Sequence, residues 1–484
     1  MTSRRAPWIW VGIALLVVIT RLTELGISLD PALFASVARN IARSGNIWSL
    51  SAGENFFPQF YEHPFLGIWF QALVFKLFGA SELTSRLVGV FFGVGTFYFL
   101  YRLAEKWVDS RFANVFCLLS LISIYFVGRM PTFYFEIPLT FFLLGSFYFY
   151  WKSLVLPDWK DELLAGIFLG CAFLTKGLAS LPLVALMGLS ALYHYKKDFW
   201  KVRGLWVSLG VTIGIVFVFC FLQAHLGDYP FYKLYWNRHH VQNSAAQKVF
   251  EIPYIIAFAK KLWETHALHL LLAFLGIGFF ISKEEVRTGC KDALFVGVAG
   301  SLLFLLANGS LGFTHLHYFY TLYPLVNILA ALAFYPLALK YSEQTWRRWG
   351  LGFACLYLIV WQVIPVSMRR KADIDYYQLK GIVQQLKSKG MNRLEGLGIG
   401  ETDWDIREVS LWYWDTEIFL VKDVNDVKAK AVLVRTTDST SLENALRKKQ
   451  YLFCAGSPKF ALYVNSKDLE RTCRQAKFDI SLLK

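Results

Sequence analysis

The chain has 484 residues, of which 56% are hydrophobic, 17% aromatic and only 18% charged, against roughly 25% charged in an average soluble domain. Residues 1–368 carry 29 Lys and Arg with 19 Asp and Glu, about 13% of that stretch, whereas residues 369–484 carry 21 and 16, about 32%. This balance excludes a soluble multidomain enzyme and a disordered or fibrous protein, and the solidly apolar runs exclude an outer-membrane barrel, whose strands alternate. The formal net charge of +15 is spread through loops and tail without a basic stripe, so nucleic acid is not an expected partner.

Apolar runs long enough to cross a hydrocarbon core, roughly 17 to 25 residues, fall near 8–25, 83–101, 113–127, 134–151, 163–176, 178–193, 204–223, 264–282, 292–307, 316–338 and 349–366. They predict an α-helical polytopic membrane domain of about eleven transmembrane helices over 1–368, followed by a small water-soluble α/β domain over 369–484. With the N-terminus in the cytoplasm, the short inner segments around Arg4, Arg102, Lys152, Lys196, Lys283 and Lys340 hold 17 basic residues, while the much longer outer loops hold about ten. That is the asymmetry of the positive-inside rule. An odd number of spans then places the C-terminal domain outside, in the periplasm of a Gram-negative cell, with the chain in the inner membrane. No small-residue cleavage site follows the first run, which reads as a retained helix.

Two outer loops, 26–82 and 224–263, are too long to be simple connectors, and long structured loops tend to be functional. In the first, Leu33, Val37 and Ile41 recur at helical spacing opposite Arg39, Asn40 and Arg43. This predicts an amphipathic helix on the membrane surface, with Asp30 as N-cap, Pro31 at its first position and Gly45 as its stop. A second such helix is expected over 64–78. No internal repeat is visible, which disfavours a transporter built from duplicated halves.

In the tail, 376–389 and 441–449 read as helices and 394–400, 417–421, 431–435, 451–454 and 460–464 as strands, the order of a small α/β domain. Of the seven cysteines, Cys117, Cys171, Cys220 and Cys355 lie in apolar runs, where a thiol behaves as a small hydrophobe. Cys454 and Cys473 share the tail and can form one disulfide in an oxidising compartment.

Charges near a membrane face are costly and mark active pathways. Three segments bring carboxylates to the outer level: Asp30, Glu62-His63-Pro64 and Glu136-Ile137-Pro138. For Asp30 and Glu136 taken singly, helix N-capping competes with a functional role. Lys176, between two closely spaced apolar segments, has few ordinary roles beyond snorkelling. His239-His240 follow Tyr235-Trp236-Asn237-Arg238 in the second long loop, and His315 and His317-Tyr318 precede the tenth run. With Glu62 these histidines could ligate a divalent cation. The competing reading makes them, with Tyr232, Tyr235 and Trp236, interfacial anchors.

The ordered series Asp30 with Ala-Arg-Asn-Ile-Ala-Arg-Ser-Gly, Tyr61-Glu62-His63-Pro64-Phe-Leu, Phe75-Lys-Leu-Phe-Gly79 with Arg86, Arg129-Met130 ahead of Glu136-Ile-Pro-Leu-Thr-Phe-Phe142, and Leu174-Thr-Lys-Gly177 resembles the bacterial protein O-mannosyltransferase and aminoarabinose transferase superfamily, over roughly residues 8–340. The resemblance implies a C-type membrane glycosyltransferase fold. It also implies transfer of a sugar from a polyprenyl-phosphate carrier to an acceptor hydroxyl or phosphate at the outer face of the inner membrane. Under it, Asp30 matches the general base of the first loop and Glu136 the second acid. Lys176, with Arg129, Arg238, His63 or His240, would hold the carrier phosphate, because guanidinium offers bidentate contact and ammonium a point charge. Glu62, His315, His317 and Tyr318 are candidates for the acceptor, the sugar or a metal, and the ring of Tyr232, Tyr235 or Trp236 could stack on the sugar.

The chain departs from that pattern at three points. Pro31 stands where a second acid is common, His63-Pro64-Phe65 replaces Lys-Pro-Pro, and Leu178 replaces a proline. The expected acceptor is lipid A, core oligosaccharide or another envelope glycan. A secreted protein is the alternative, and a glycan polymerase or ligase and a glycolipid flippase are the other classes considered. A flippase would need charges deep within several spans, which the sequence lacks.

Overall fold

The computed structural model describes residues 5–19, 21–22, 26–27, 30–238, 252–281, 288–309, 315–363, 374–399, 403–435, 439–457, 460–465 and 469–473. The chain divides into two compact units, one of Met1–Glu24, Tyr61–Val74 and Leu83–Val363, the other of Leu25–Phe60, Phe75–Glu82 and Ile364–Lys484.

The first unit is helical. Its elements are α1 (Ala6–Ile19), most of α3 (Leu66–Phe78), α4 (Glu82–Trp107), α5 (Ser110–Ile122), α6 (Ile124–Arg129), α7 (Glu136–Val155), α8 (Trp159–Lys176), α9 (Leu181–Tyr195), α10 (Arg203–Leu226), α11 (Phe231–Trp236), α12 (Ile252–Ile281), α13 (Thr288–Gly309), α14 (Tyr323–Ala338) and α15 (Glu343–Val363). Each of the eleven apolar runs overlaps a helix within its described residues, as expected where every backbone group must find its partner within its own segment. Among the described residues, Glu82–Trp107, Trp159–Lys201, Arg203–Leu226 and Gly289–Gly309 are long and apolar enough to cross a membrane. Residues Ile213, Phe217 and Phe221 of α10 stay exposed, the disposition of a lipid-facing stripe.

Close packing between these helices depends on small residues. On α8, Gly166 and Gly170 form a Gly-x-x-x-Gly step facing α10, and a Cβ at either would lie 2.6 Å from Val211 or 2.7 Å from Ile215. The same approach lets Thr212 on α10 donate to the Gly166 carbonyl at 3.1 Å and Ser208 to the Glu162 carbonyl at 3.2 Å, the polar glue of helix pairs in lipid. On the other side of α8, Phe168 joins Phe99, Phe141 and Phe142 in an aromatic cluster with ring centroids 5.5–6.0 Å away. Thus α8 is fixed on two faces, and its C-terminal end, Thr175-Lys176, is held in place.

The second unit contains α2 (Asp30–Ser44), α16 (Ile374–Ser388), β1 (Leu394–Leu397), α17 (Trp404–Val409), β2 (Ile418–Val421), β3 (Ala431–Arg435), α18 (Ser439–Lys448), β4 (Leu452–Gly456) and β5 (Phe460–Val464). The sheet order is β2-β1-β3-β5-β4, with β1 parallel to both β2 and β3, and β5 antiparallel to both β3 and β4. Leu397, Val432, Val434, Leu446, Tyr451, Ala461 and Tyr463 make its core. Cys454 and Cys473 are disulfide-bonded across 19 residues, with Cα atoms 5.1 Å apart.

Helix α2 starts at Asp30 and stops before Gly45, whose φ of 76° ends it. Its surroundings differ from a membrane-surface helix with one polar face. Arg39 is 9% exposed, donating to the carbonyls of Leu411 at 2.5 Å and Trp412 at 2.9 Å while lying over the Trp412 ring. A guanidinium can be buried only with such partners, and helical periodicity cannot register partners 372 residues away.

Asp415 sits in the left-handed region at φ 49° and binds three cations: Arg39 at 2.8 Å, Arg43 at 2.9 Å and Lys387 of α16 at 3.3 Å. Partial burial pushes its carboxyl up, but the hydrogen bonds from Arg43 and the charges of Arg39 and Lys387 outweigh this and hold it below the ordinary 3.8. Burial in turn lowers Arg39 to about 10, against the opposing pull of Asp415.

Because the folded pKa of Asp415 is depressed, its contribution to stability is complete above the ordinary carboxylate value and is lost as pH falls through the depressed one. Asp415→Asn should therefore lower the melting temperature at pH 7. The gap to wild type should shrink below about pH 3.8, as followed by calorimetry across pH 2.5–7.

Candidate active site

The first unit gathers most of the charged residues singled out in the sequence. Glu136 opens α7 and Lys176 closes α8, and the extensive packing of these two helices brings the ends together: the Lys176 ammonium donates to Glu136 Oε1. The pair is buried, with side chains 10% and 3% exposed. An unpaired charge at such a place would cost several kcal/mol, about 3–5 when one partner is removed, so each group requires the other or a substitute of the same sign. Glu136 lies in the first turn of its helix, where a carboxylate also meets the positive end of the helix dipole.

Aromatic and imidazole rings surround the pair. His317 Nε2 lies 3.8 Å from Glu136 Oε1, and Lys176 Nζ lies 4.4 Å from the centroid of the Tyr318 ring, within cation–π range. The His317 ring stacks on Tyr134 at 4.7 Å and faces His315 at 5.6 Å. Arg129, at the end of α6, lies over the other ring system of this group, with its guanidinium carbon 5.3 Å from the Tyr134 centroid. Arg129, Glu136, Lys176, His315, His317 and Tyr318 thus converge from four separate segments. Tyr134 joins them without a charge or motif to mark it in the sequence. Its only signal was its place in the aromatic run Phe133-Tyr134-Phe135 immediately before Glu136.

Glu62, His63 and Arg238 occupy an adjoining layer of contacts. Arg238 Nε donates to Glu62 Oε1 at 3.2 Å, and the His63 ring meets Phe135, the residue before Glu136, at 4.6 Å. Burial raises the Glu62 carboxyl, with Arg238 pulling it back. His239 and His240 lie outside the described residues. Among the described residues no group of three or more His, Cys, Asp or Glu could hold a metal ion. Asp30 heads α2 in the second unit, half-buried in its first turn.

Tyr235, read from sequence as a stacking or belt residue, instead supports the lysine loop: the Leu178 N–H donates to its hydroxyl at 3.4 Å. That hydroxyl occupies the space a side chain at Gly177 would need, and Gly177 has φ 57° and ψ −126°, a combination open mainly to glycine. Lys176 therefore ends α8 against a turn that both backbone and neighbour fix. Arg86, the buried arginine of α4, donates to the Pro131 carbonyl at 3.4 Å and so supports the segment between Arg129 and Tyr134.

Comparison with known proteins agrees with this architecture. Residues 62–223 match the family model described as dolichyl-phosphate-mannose-protein mannosyltransferase. The undecaprenyl phosphate-alpha-4-amino-4-deoxy-L-arabinose arabinosyl transferase of Shewanella sediminis is 24% identical over 240 residues, covering 47% of this chain and 43% of the relative. A protein of the same name from Proteus mirabilis is 28% identical over 220 residues, covering 43% and 39%. The matched region therefore spans less than half the length of these curated relatives. In fold, the chain is similar to ArnT of Cupriavidus metallidurans in a crystal structure bound to undecaprenyl phosphate, with a TM-score of 0.71 at 14% identity, over 96% of this chain and 98% of that one. In its matched segment the chain is thus similar to dolichyl-phosphate-mannose-protein mannosyltransferases and to arabinosyl transferases, and over 96% of its length its fold is similar to that of ArnT.

The turn after Lys176 is sensitive to a single methyl group. Gly177→Ala should cost roughly 1–3 kcal/mol through its backbone conformation alone, with a further clash against the Tyr235 hydroxyl. Adding Tyr235→Phe should recover part of the loss in melting temperature, and additive effects in the double variant would contradict the contact.

Proposed function

We propose that the chain is a multi-pass glycosyltransferase of the bacterial inner membrane that moves a sugar from a polyprenyl-phosphate carrier to an envelope acceptor, lipid A or another glycan, at the outer face. About eleven helices span the membrane in this reading, with the N-terminus cytoplasmic and the C-terminal domain periplasmic. The observation that carries it is the buried Glu136–Lys176 pair with Arg129 and His317 around it. This is a cationic group kept ready in a low-dielectric place by a carboxylate, and it is the kind of receptor a lipid-borne phosphate needs. The two arabinosyl transferase relatives, whose names include undecaprenyl phosphate, and the similar fold of ArnT bound to undecaprenyl phosphate support the same donor.

In this mechanism the acceptor oxygen attacks the anomeric carbon. Its proton passes to a carboxylate, Asp30 in our assignment, and the bond from the anomeric carbon to the phosphate oxygen breaks with its electron pair on the phosphate. One displacement inverts the anomeric centre. Lys176 and Arg129 offset the charge that grows on the departing phosphate, acting as preorganised donors that need no reorientation during the step. Glu136 pairs with Lys176 and holds its ammonium in place. His63 and Arg238 assist at the carrier phosphate, with His240 in the same role, and Glu62, His315, His317 and Tyr318 serve the sugar or acceptor.

The reading is tested by mass spectrometry of envelope lipids and glycans from cells with the gene, without it, and complemented with Asp30→Asn. The expected result is loss of one sugar-sized mass increment from a defined lipid or glycan in the deletion, restored by wild type and not by the variant. Identical profiles in all three strains would contradict an envelope acceptor, and an increment missing instead from secreted proteins would move the acceptor to protein.

A further inference from the structure

Helix α2, with Asp30 in its first turn, belongs to the same compact unit as the C-terminal segment, and seven residues of that segment, Leu411–Glu417, hold the first loop at three places. At the start of the loop, the Ile27 N–H donates to the hydroxyl of Tyr413, a residue only 2% exposed. In the middle, Arg39 donates to the Leu411 and Trp412 carbonyls, and Arg39 and Arg43 both reach Asp415. At the far end, Glu417 accepts three successive backbone N–H groups, those of Glu54 at 3.0 Å, Asn55 at 2.7 Å and Phe56.

These three contacts differ in chemistry but share a consequence. An acceptor hydroxyl holds the backbone at Ile27, three residues before Asp30. Two arginines four residues apart on one helical face, meeting a carboxylate and two carbonyls, fix its rotation about its axis. A carboxylate cradled by three consecutive amides fixes the return of the loop, and Asn40 of α2 donates to the Ser51 and Ala52 carbonyls, at 3.0 and 3.1 Å, to tie that return to the helix. Start point, rotation and return together leave α2 little freedom to translate or turn.

We propose that Tyr413, Asp415 and Glu417 are positioning residues for sugar transfer, acting through α2 on the Asp30 carboxylate, so that the C-terminal segment sets the rate of the chemical step without touching donor or acceptor. The proposal rests on the assignment of Asp30 to the transfer reaction above. A proton acceptor must lie within hydrogen-bond reach of the group it deprotonates, and a displacement of about 1 Å can cost on the order of a hundredfold in rate. A splint on the helix that bears such a group is therefore expected to act on kcat. KM for the carrier, whose proposed receptor is the separate Lys176 group, should be spared.

The variants are Tyr413→Phe, which removes one hydroxyl and keeps the buried ring, and Glu417→Gln, which sets an amide NH2 against backbone donors. Each is compared with wild type for sugar transfer from a purified polyprenyl-phosphate donor in detergent, normalised to folded protein, with hydrogen exchange read over residues 30–44. We expect kcat to fall by roughly ten- to a hundredfold with the donor KM unchanged, faster exchange in α2, and cooperative unfolding retained. Wild-type kcat in both variants overturns the positioning role, as does a loss confined to KM or a loss that disappears on normalising to folded protein. A wild-type chain that transfers no sugar overturns the underlying function, and this proposal falls with it. A wild-type chain that transfers while both variants match it overturns this proposal alone.

Discussion

The ammonium of Lys176 and the carboxylate of Glu136 meet where the end of α8 adjoins the start of α7, and much of the first unit exists to keep them there. A buried ion pair contributes little net stability compared with an apolar core, yet losing one partner is costly. The pair therefore constrains the helices more than it stabilises them. Two glycines bring α10 against one face of α8, and phenylalanines of α4 and α7 fill another. Gly177 and the Tyr235 hydroxyl then fix the turn that follows Lys176. Burial, close packing and a fixed turn together hold the lysine against its carboxylate partner.

Carboxylates serve three different ends in this chain, according to what faces them. Glu136 neutralises a cation within the helical unit, and Glu62 pairs with Arg238. Asp415 and Glu417 are structural: one gathers three cations and the other caps three amides. Asp30 heads an amphipathic helix whose Arg39 and Arg43 pair with Asp415.

Local signals carried far in this sequence. The strands at 431–435 and 460–464 coincide with β3 and β5 residue for residue, because a short β-rich run bounded by polar residues admits few alternatives. The Asp30-Pro31 start and Gly45 stop bracket α2 for the same reason, since capping depends on adjacent residues. The order of motifs singled out Lys176 and Glu136, but no rule of sequence told that the two side chains meet. Contacts between segments distant in sequence were not legible. Arg39 reads as the polar face of a surface helix, but its partners lie beyond residue 410. Tyr235 reads as an aromatic anchor, while its hydroxyl faces a turn 57 residues earlier. Tyr134, between two phenylalanines, gives no sign that it joins Arg129 to His317.

Binding of undecaprenyl phosphate to the purified protein in detergent tests whether the Glu136–Lys176 group receives a lipid-borne phosphate, without dependence on the sugar or the acceptor. Native mass spectrometry of wild type and Lys176→Met, each verified as folded, reads it directly. One carrier bound per wild-type chain, with occupancy reduced at least tenfold in the variant, is the predicted result. Equal occupancy in the two proteins, or none in wild type, would contradict the assignment.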